Sequence, residues 1–276
     1  MLPQLANTYN PTRKYPVTEW LASPKLDGIR ALYIPGDGLI SRSQKTRYAG
    51  FGSIERICES ICKVNKLSFI DGELYIPGEK FDIISGIVRK SKKYDVDQKA
   101  RVEFKVFAVG SIDTPLMPAG LMYDLMKSTL PQTEKVSYLP QRYISNTPAA
   151  IQAETELVRS SGRSDEGIML RNPESVYAGV RSNDLLKVKN FVKNSFVVVG
   201  FTKGTGKYSK SLGNLLIRGM VDGKIVNSRV GTGFTDAMRS EIWTNQSKYL
   251  GTNISVIYLG VTPNGSLRHP VFSSFV

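Results

Sequence analysis

The chain has a single histidine, His269, and two cysteines, Cys58 and Cys62, four residues apart in "ERICESICK". That scarcity argues against a structural zinc site, which needs four N/S ligands, and against catalysis built on histidine. The cysteine spacing places both on one helix face, where they read as small core residues. No apolar run approaches the roughly 18 residues a membrane span requires, so no membrane partner is expected. The start, "MLPQLANTYNPTRKYP", lacks the basic and apolar regions of a secretory signal, which predicts an intracellular protein. Internal repeats and low-complexity tracts are absent too. Acidic residues are the scarcer sign of charge: 24 Asp and Glu face 37 Lys and Arg, a net charge of +13. Such an excess in an otherwise ordinary globular composition points to a polyanionic partner, nucleic acid above all. Residues 191–276 hold 10 Lys and Arg against 3 Asp and Glu, so the excess is concentrated near the end.

The first 190 residues mix strand patterns with a few helices. "LISRS", "LSFIDGELYI", "VEFKVFAVG", "DEGIMLRN" and "DLLKVKNFV" have strand alternation or β-branched and aromatic content. "SIERICESICKV" and "AAIQAETELVRSS" carry helical spacing, the second entered from Thr147-Pro148. This predicts an α+β domain, mixed but largely antiparallel, over 1–190. Beyond it, "SFVVVGF", "NLLIRGMV", "GKIVNSRVG" and "TNISVIYLGV" are short strands, with a hairpin signal at Asp222-Gly223 and one helix capped at Thr235-Asp236. That texture predicts a small Greek-key β-barrel of the OB type over 191–276, with a hinge at 190–194.

Three places can carry chemistry. In "SPKLDGIRA", Lys25 stands beside Asp27, Gly28 and Arg30. A free lysine holds its proton to a pKa of about 10.4, so it becomes a nucleophile only where cations, burial or a metal favour the neutral amine. Lys187 and Lys189 alternate in "LLKVKNF", which puts both on one face of a strand, able to converge on one phosphate. Glu73 in "DGELY" and Glu166 in "SDEGIML" each sit beside glycine ahead of an apolar strand, where two carboxylates can hold magnesium near a triphosphate. Each fragment alone is as well explained by a surface turn, a solvated strand edge or a strand start.

Their order carries the case. "KLDGIR" at 25, "SRS" at 41, "DGELY" at 71, "FKVFAV" at 104, "SDEGIMLR" at 164 and "LLKVKNF" at 185 resemble motifs I, Ia, III, IIIa, IV and V of the covalent nucleotidyltransferases, the superfamily of DNA ligases, RNA ligases and capping enzymes. Within it the chain is most similar to the small, virus-type ATP-dependent DNA ligases, through "LASPKLDGIRA", "VGTGFTDAMRSEIWTNQSKYLG" and the motif VI-like "LRHPVF". The resemblance implies a nucleotidyltransferase domain followed by an OB domain, ATP and Mg2+ as cofactors, and a monomer acting on nicked duplex DNA.

It also implies roles. Lys25 attacks the α-phosphate of ATP and becomes a lysyl-AMP. Phe107 stacks on adenine, whose edge meets Ser23 and the backbone around Pro24. Glu73 and Arg30 hold the ribose, and Arg42 binds the phosphate at the nick. Glu166, with Glu73, serves the metal; Lys187 and Lys189 neutralise the α-phosphate; Arg268 places the pyrophosphate. The sequence departs from the family in two respects. Motif VI ends early at "RHPVFSSFV", and Ala108 stands where motif IIIa commonly has aspartate. The DNA-encircling latch of the viral enzymes is reduced to "TKGTGKYSKSLG", so grip on DNA falls to basic residues: Arg89, Lys90, Lys92 and Lys93 in "RKSKK", and Lys203, Lys207 and Lys210. NAD-dependent relatives carry an extra domain before the lysine, and 24 residues are too few for one, which favours ATP. The alternatives are an RNA ligase or capping-type transferase, and a non-catalytic OB nucleic-acid-binding protein.

Overall fold

A computed structural model describes residues 2–11, 13–162, 166–189, 192–258, 260–262 and 264–276. The chain divides into two compact units, Met1–Lys189 and Asn190–Val276. In chain order the strands of the first unit are β1 (Leu5–Thr8), β2 (Glu19–Pro24), β3 (Ile29–Ile34), β4 (Gly38–Ser41), β5 (Leu67–Tyr75), β6 (Glu103–Ser111), β7 (Val136–Tyr138), β8 (Arg142–Ser145), β9 (Gly167–Arg171) and β10 (Arg181–Lys189). Its helices are α1 (Gly52–Asn65), α2 (Phe81–Arg89), α3 (Val96–Ala100), α4 (Ala119–Thr129) and α5 (Pro148–Ser160).

These strands form two five-stranded sheets, ordered β1-β10-β9-β2-β8 and β4-β3-β5-β6-β7. Pairing is antiparallel except for β1 with β10 and β6 with β7, the mixed α+β arrangement the sequence predicts. Helix α1 buries Ile54, Cys58, Ile61 and Cys62, a stripe one helical face wide, against the second sheet. Both cysteines are free and buried, and burial pushes the Cys62 thiol up to about 12, so they act as small core residues. Helix α5 starts where its residues dictate: the Thr147 side chain accepts from the Ala150 N–H and Pro148 sits in the first turn.

The second unit holds β11 (Val192–Lys203), β12 (Leu212–Val221), β13 (Lys224–Val230), β14 (Asn253–Tyr258) and β15 (Val271–Phe275), with α6 (Asp236–Thr244) and α7 (Gln246–Tyr249). Its sheet runs β13-β12-β11-β14-β15, and a parallel bridge from Thr232 to Val271 joins its two edges into a barrel. Phe196, Ile217, Tyr258 and Phe272 fill the interior. The Asp222-Gly223 hairpin has both residues at positive φ, 49° and 74°, with Val221 paired to Lys224, as a two-residue primed turn requires. Thr235 caps α6 by accepting from the Met238 N–H. Between β11 and β12 the chain makes a compact turn with one 3-10 segment, Gly206–Tyr208, and no long excursion.

Candidate active site

The first unit has a cleft of about 730 Å³, part of it open to solvent, lined by residues of both its sheets. Leu21, Ser23 and Pro24 of β2, Met169 and Arg171 of β9, and Leu185 of β10 come from one sheet. Arg30 of β3, Glu73 of β5 and Phe107 of β6 come from the other, and Lys25 stands in the connection between β2 and β3.

Lys25 is fixed at both ends. Its backbone N–H donates to the Gly167 carbonyl at 2.9 Å, and its Nζ lies 3.1 Å from Glu166 Oε2. Two fragments 141 residues apart are thus one constellation, because β2 pairs with β9 with Pro24 opposite Ile168. Gly28 has a steric reason: a Cβ there would lie 2.5 Å from the Leu74 carbonyl oxygen and 2.7 Å from Glu73 Cγ. The loop carrying Lys25 can approach β5 only with glycine at this position.

Glu73 faces Arg30 across the β3/β5 ladder. Burial pushes the Glu73 carboxyl up to about 8, against the opposing pull of Arg30 and Lys25. Arg30 is held on three sides. Its Nε and one terminal nitrogen donate to Asp71 at 3.0 and 2.5 Å, and the other donates to the Gln4 carbonyl at 2.6 Å. Tyr177 completes the knot by donating to Asp71 Oδ2 at 2.7 Å. Most of the Arg30 donors therefore serve the scaffold, while its Cζ lies 5.3 Å from the centre of the Phe107 ring. Phe107 itself lies at a β-bulge: Asp71 pairs with Ala108 and Gly72 with Val106, so Phe107 is the extra residue. Bulges of this kind re-aim a side chain, here one that lines the cleft.

Lys187 and Lys189 lie on β10 opposite Met169 and Gly167. Burial lowers the Lys187 pKa, and the fields of Lys189, Arg181, Lys25 and Arg42 lower it further. That crowding of cations is what a site for a polyphosphate needs. Arg42 is exposed in the turn after β4. Arg89, the first residue of "RKSKK", and Arg42 both act on the buried Tyr48 hydroxyl, which brings one end of that basic stretch into the same neighbourhood. Arg89, Lys90, Lys92 and Lys93 are all exposed, as are Lys203, Lys207 and Lys210 in the second unit. Lys207 pairs with Asp236 at 3.2 Å, a solvated contact of little energetic weight. Arg268 is half-buried in the second unit, its N–H donating to the Gly260 carbonyl. Ser164 and Asp165 of motif IV, and residues 190 and 191 of the expected hinge, lie outside the described residues.

The described residues contain no cluster of three or more His, Cys, Asp or Glu arranged for a metal. Glu73 and Glu166, both within the influence of Lys25, nonetheless fit magnesium, which takes one or two carboxylates and completes its shell with phosphate oxygens and water. Sequence reasoning missed two cations. Arg171 lines the cleft, and Arg181 acts on Lys187. Arg171 ends the quoted "SDEGIMLR" and Arg181 opens the strand that carries Lys187 and Lys189; for Arg171 the signal was available, a basic residue on an otherwise apolar strand.

A lysine-centred cleft walled by two sheets, followed by a closed five-stranded barrel, defines a nucleotidyltransferase domain joined to an OB-like domain. Residues 1–189 match the family described as "ATP dependent DNA ligase domain" and residues 203–275 the "DNA ligase OB-like domain"; the chain belongs to the ATP-dependent DNA ligases. It is similar to a DNA ligase of Haemophilus influenzae, 25% identical over 272 residues, covering 97% of this chain and 90% of that one. A DNA ligase of Enterobacteria phage T3 is 25% identical over 250 residues, covering 75% and 71%. Among solved structures, one from a structure-function analysis of Lig E DNA ligases, described as binding DNA with a minimal scaffold, superposes with a TM-score of 0.75 at 25% identity, covering 100% of this chain and 99% of that one. The Chlorella virus DNA ligase-adenylate shares the fold, with a TM-score of 0.54 at 23% identity over 100% and 99% of the chains. No helix among the described residues is long and apolar enough to cross a membrane.

Proposed function

We propose that this ATP-dependent DNA ligase seals 3′-OH/5′-phosphate nicks in duplex DNA, with Lys25 as the residue that carries AMP. The observation that supports this most is the Lys25 Nζ–Glu166 contact of 3.1 Å, at a cleft with Glu73, Arg30 and Phe107 on its other wall. Lys25 Nζ sheds its protons to water and bonds to the α-phosphorus of ATP, while the bond to the bridging oxygen breaks and pyrophosphate leaves. Glu166 orients the amine. Lys187 and Lys189 neutralise charge on the α-phosphate, the chief requirement of such transfers. Phe107 stacks on the adenine, with Ser23 and the Pro24 backbone at its edge. Glu73 and Arg30 hold the ribose, Arg30 in the orientation that Asp71 imposes.

Glu166 and Glu73 would hold magnesium, which would supply charge neutralisation for the leaving group. AMP then passes to the 5′-phosphate, which Arg42 holds, and the 3′-OH displaces it. Arg268 places the pyrophosphate. The protein works as a monomer and grips DNA through the basic stretches at 89–93 and 203–210 without a latch. A panel of nicked DNA and nicked RNA with ATP or NAD tests the reading: sealing of nicked DNA with ATP and magnesium is expected. Sealing of RNA alone, or dependence on NAD, overturns it.

A further inference from the structure

Gln4 is 1% exposed, although it lies in the segment ahead of β1 and carries a polar side chain. Its side-chain oxygen and its backbone carbonyl are both engaged by arginines that line the cleft. Its side-chain Oε1 accepts from a terminal nitrogen of Arg171. Its carbonyl accepts from Arg30 at 2.6 Å. Arg171 belongs to β9 of one sheet and Arg30 to β3 of the other, and both line the cleft.

We infer that Gln4 is a positioning residue for the ATP step: it ties the two sheets together at the cleft and fixes the guanidinium of Arg171 toward the nucleotide. The inference rests on the reading of this cleft as the ATP site. Arg171 is buried and donates to a neutral group, the Gln4 amide oxygen. A buried cation held by a neutral acceptor keeps its full charge for an incoming anion or a base acceptor, whereas a carboxylate partner would cancel it. The backbone around Gln4 is held firmly enough for this task. Leu5 donates to Val180 at 3.0 Å, and Gly179 lies so close that a Cβ there would meet the Leu2 carbonyl at 2.7 Å. Loss of the amide oxygen frees Arg171 to swing toward Asp71, whose field it already feels, and the cleft loses one fixed donor.

The test is self-adenylylation of the full chain with α-phosphate-labelled ATP and magnesium, in the absence of DNA. Gln4→Met keeps the volume and every backbone contact, and is expected to raise KM for ATP about tenfold while changing kcat less than threefold. Gln4→Glu keeps the accepting oxygen but supplies the carboxylate that cancels the Arg171 charge, and is expected to raise KM for ATP about as much as Gln4→Met. In an Arg171→Met background, Gln4→Met should add less than twofold. An unchanged KM for Gln4→Met, a wild-type KM for Gln4→Glu, or a full tenfold effect in the Arg171→Met background each overturns the inference. Absence of labelling in the wild type would instead defeat the reading of the cleft itself.

Discussion

Replacing Asp71 by Asn exposes what holds the cleft in shape. Asp71 is fully buried and binds Arg30 through both oxygens at 3.0 and 2.5 Å, with Tyr177 donating at 2.7 Å. The amide keeps the volume but removes the charge and turns one acceptor into a donor, leaving the Arg30 cation without its counter-charge. Breaking one side of a buried ion pair costs about 3–5 kcal/mol. The Arg30 side chain retains 17% exposure, so some water reaches it and the lower end, about 3 kcal/mol, applies. With a urea slope of about 2–3 kcal/mol/M for a unit of this size, the midpoint should fall by about 1–1.5 M. Fluorescence of Trp20, buried in β2 of the first unit, reads that transition once Trp243 of the second unit is replaced by Phe. The double variant Arg30→Met/Asp71→Asn removes both charges and should recover part of the loss. A single-variant loss under about 1 kcal/mol, or a double variant as unstable as the sum of the two singles, would refute the account of the knot.

Other consequences are equally measurable. Glu73 holds its proton up to a pH of about 8 in the folded state, above its ordinary value of 4.5. Its contribution to stability is therefore full below pH 4.5 and is lost as pH rises through 8. Glu73→Gln should accordingly raise the melting temperature at pH 9, leave it nearly unchanged at pH 4.5, and abolish most sealing; equal shifts at both pH values would contradict this. Phe107→Leu should raise KM for ATP in self-adenylylation by about tenfold, the weight of one base–aromatic stack, and an unchanged KM would remove Phe107 from the adenine site. Neutralising Lys90, Lys92 and Lys93 together as Gln should lower the slope of log K against log salt for nicked DNA by about 2–3. A slope identical to wild type would take the 89–93 stretch out of the DNA interface.

Much of the fold was legible because local rules and tertiary packing agree. Thr147-Pro148, Thr235-Asp236 and Asp222-Gly223 each specify a terminus or turn by side-chain chemistry within four residues, and the structure has all three. Cys58 and Cys62 lay on the expected face of α1. Helix α4 and the short strands β1, β7 and β8 were not read, because "LANT", "VSY" and "RYIS" are too short to show a period and are defined by their partners. The site was legible as an order of fragments. The binding knot was not: Gln4, Asp71, Arg171 and Tyr177 meet through sheet pairing between residues up to 167 apart. The β-bulge that turns Phe107 toward the cleft was equally hidden, since a bulge is a mismatch between two strands and neither strand records it alone.

The central claim is that one lysine carries AMP. Incubation with α-phosphate-labelled ATP and magnesium, followed by proteolysis and mass spectrometry of the adenylylated peptide, tests it most directly. The account predicts AMP on Lys25 within "LASPKLDGIRA", and no label in Lys25→Ala. AMP on Lys187, Lys189 or any other residue, or undiminished labelling of Lys25→Ala, would contradict it.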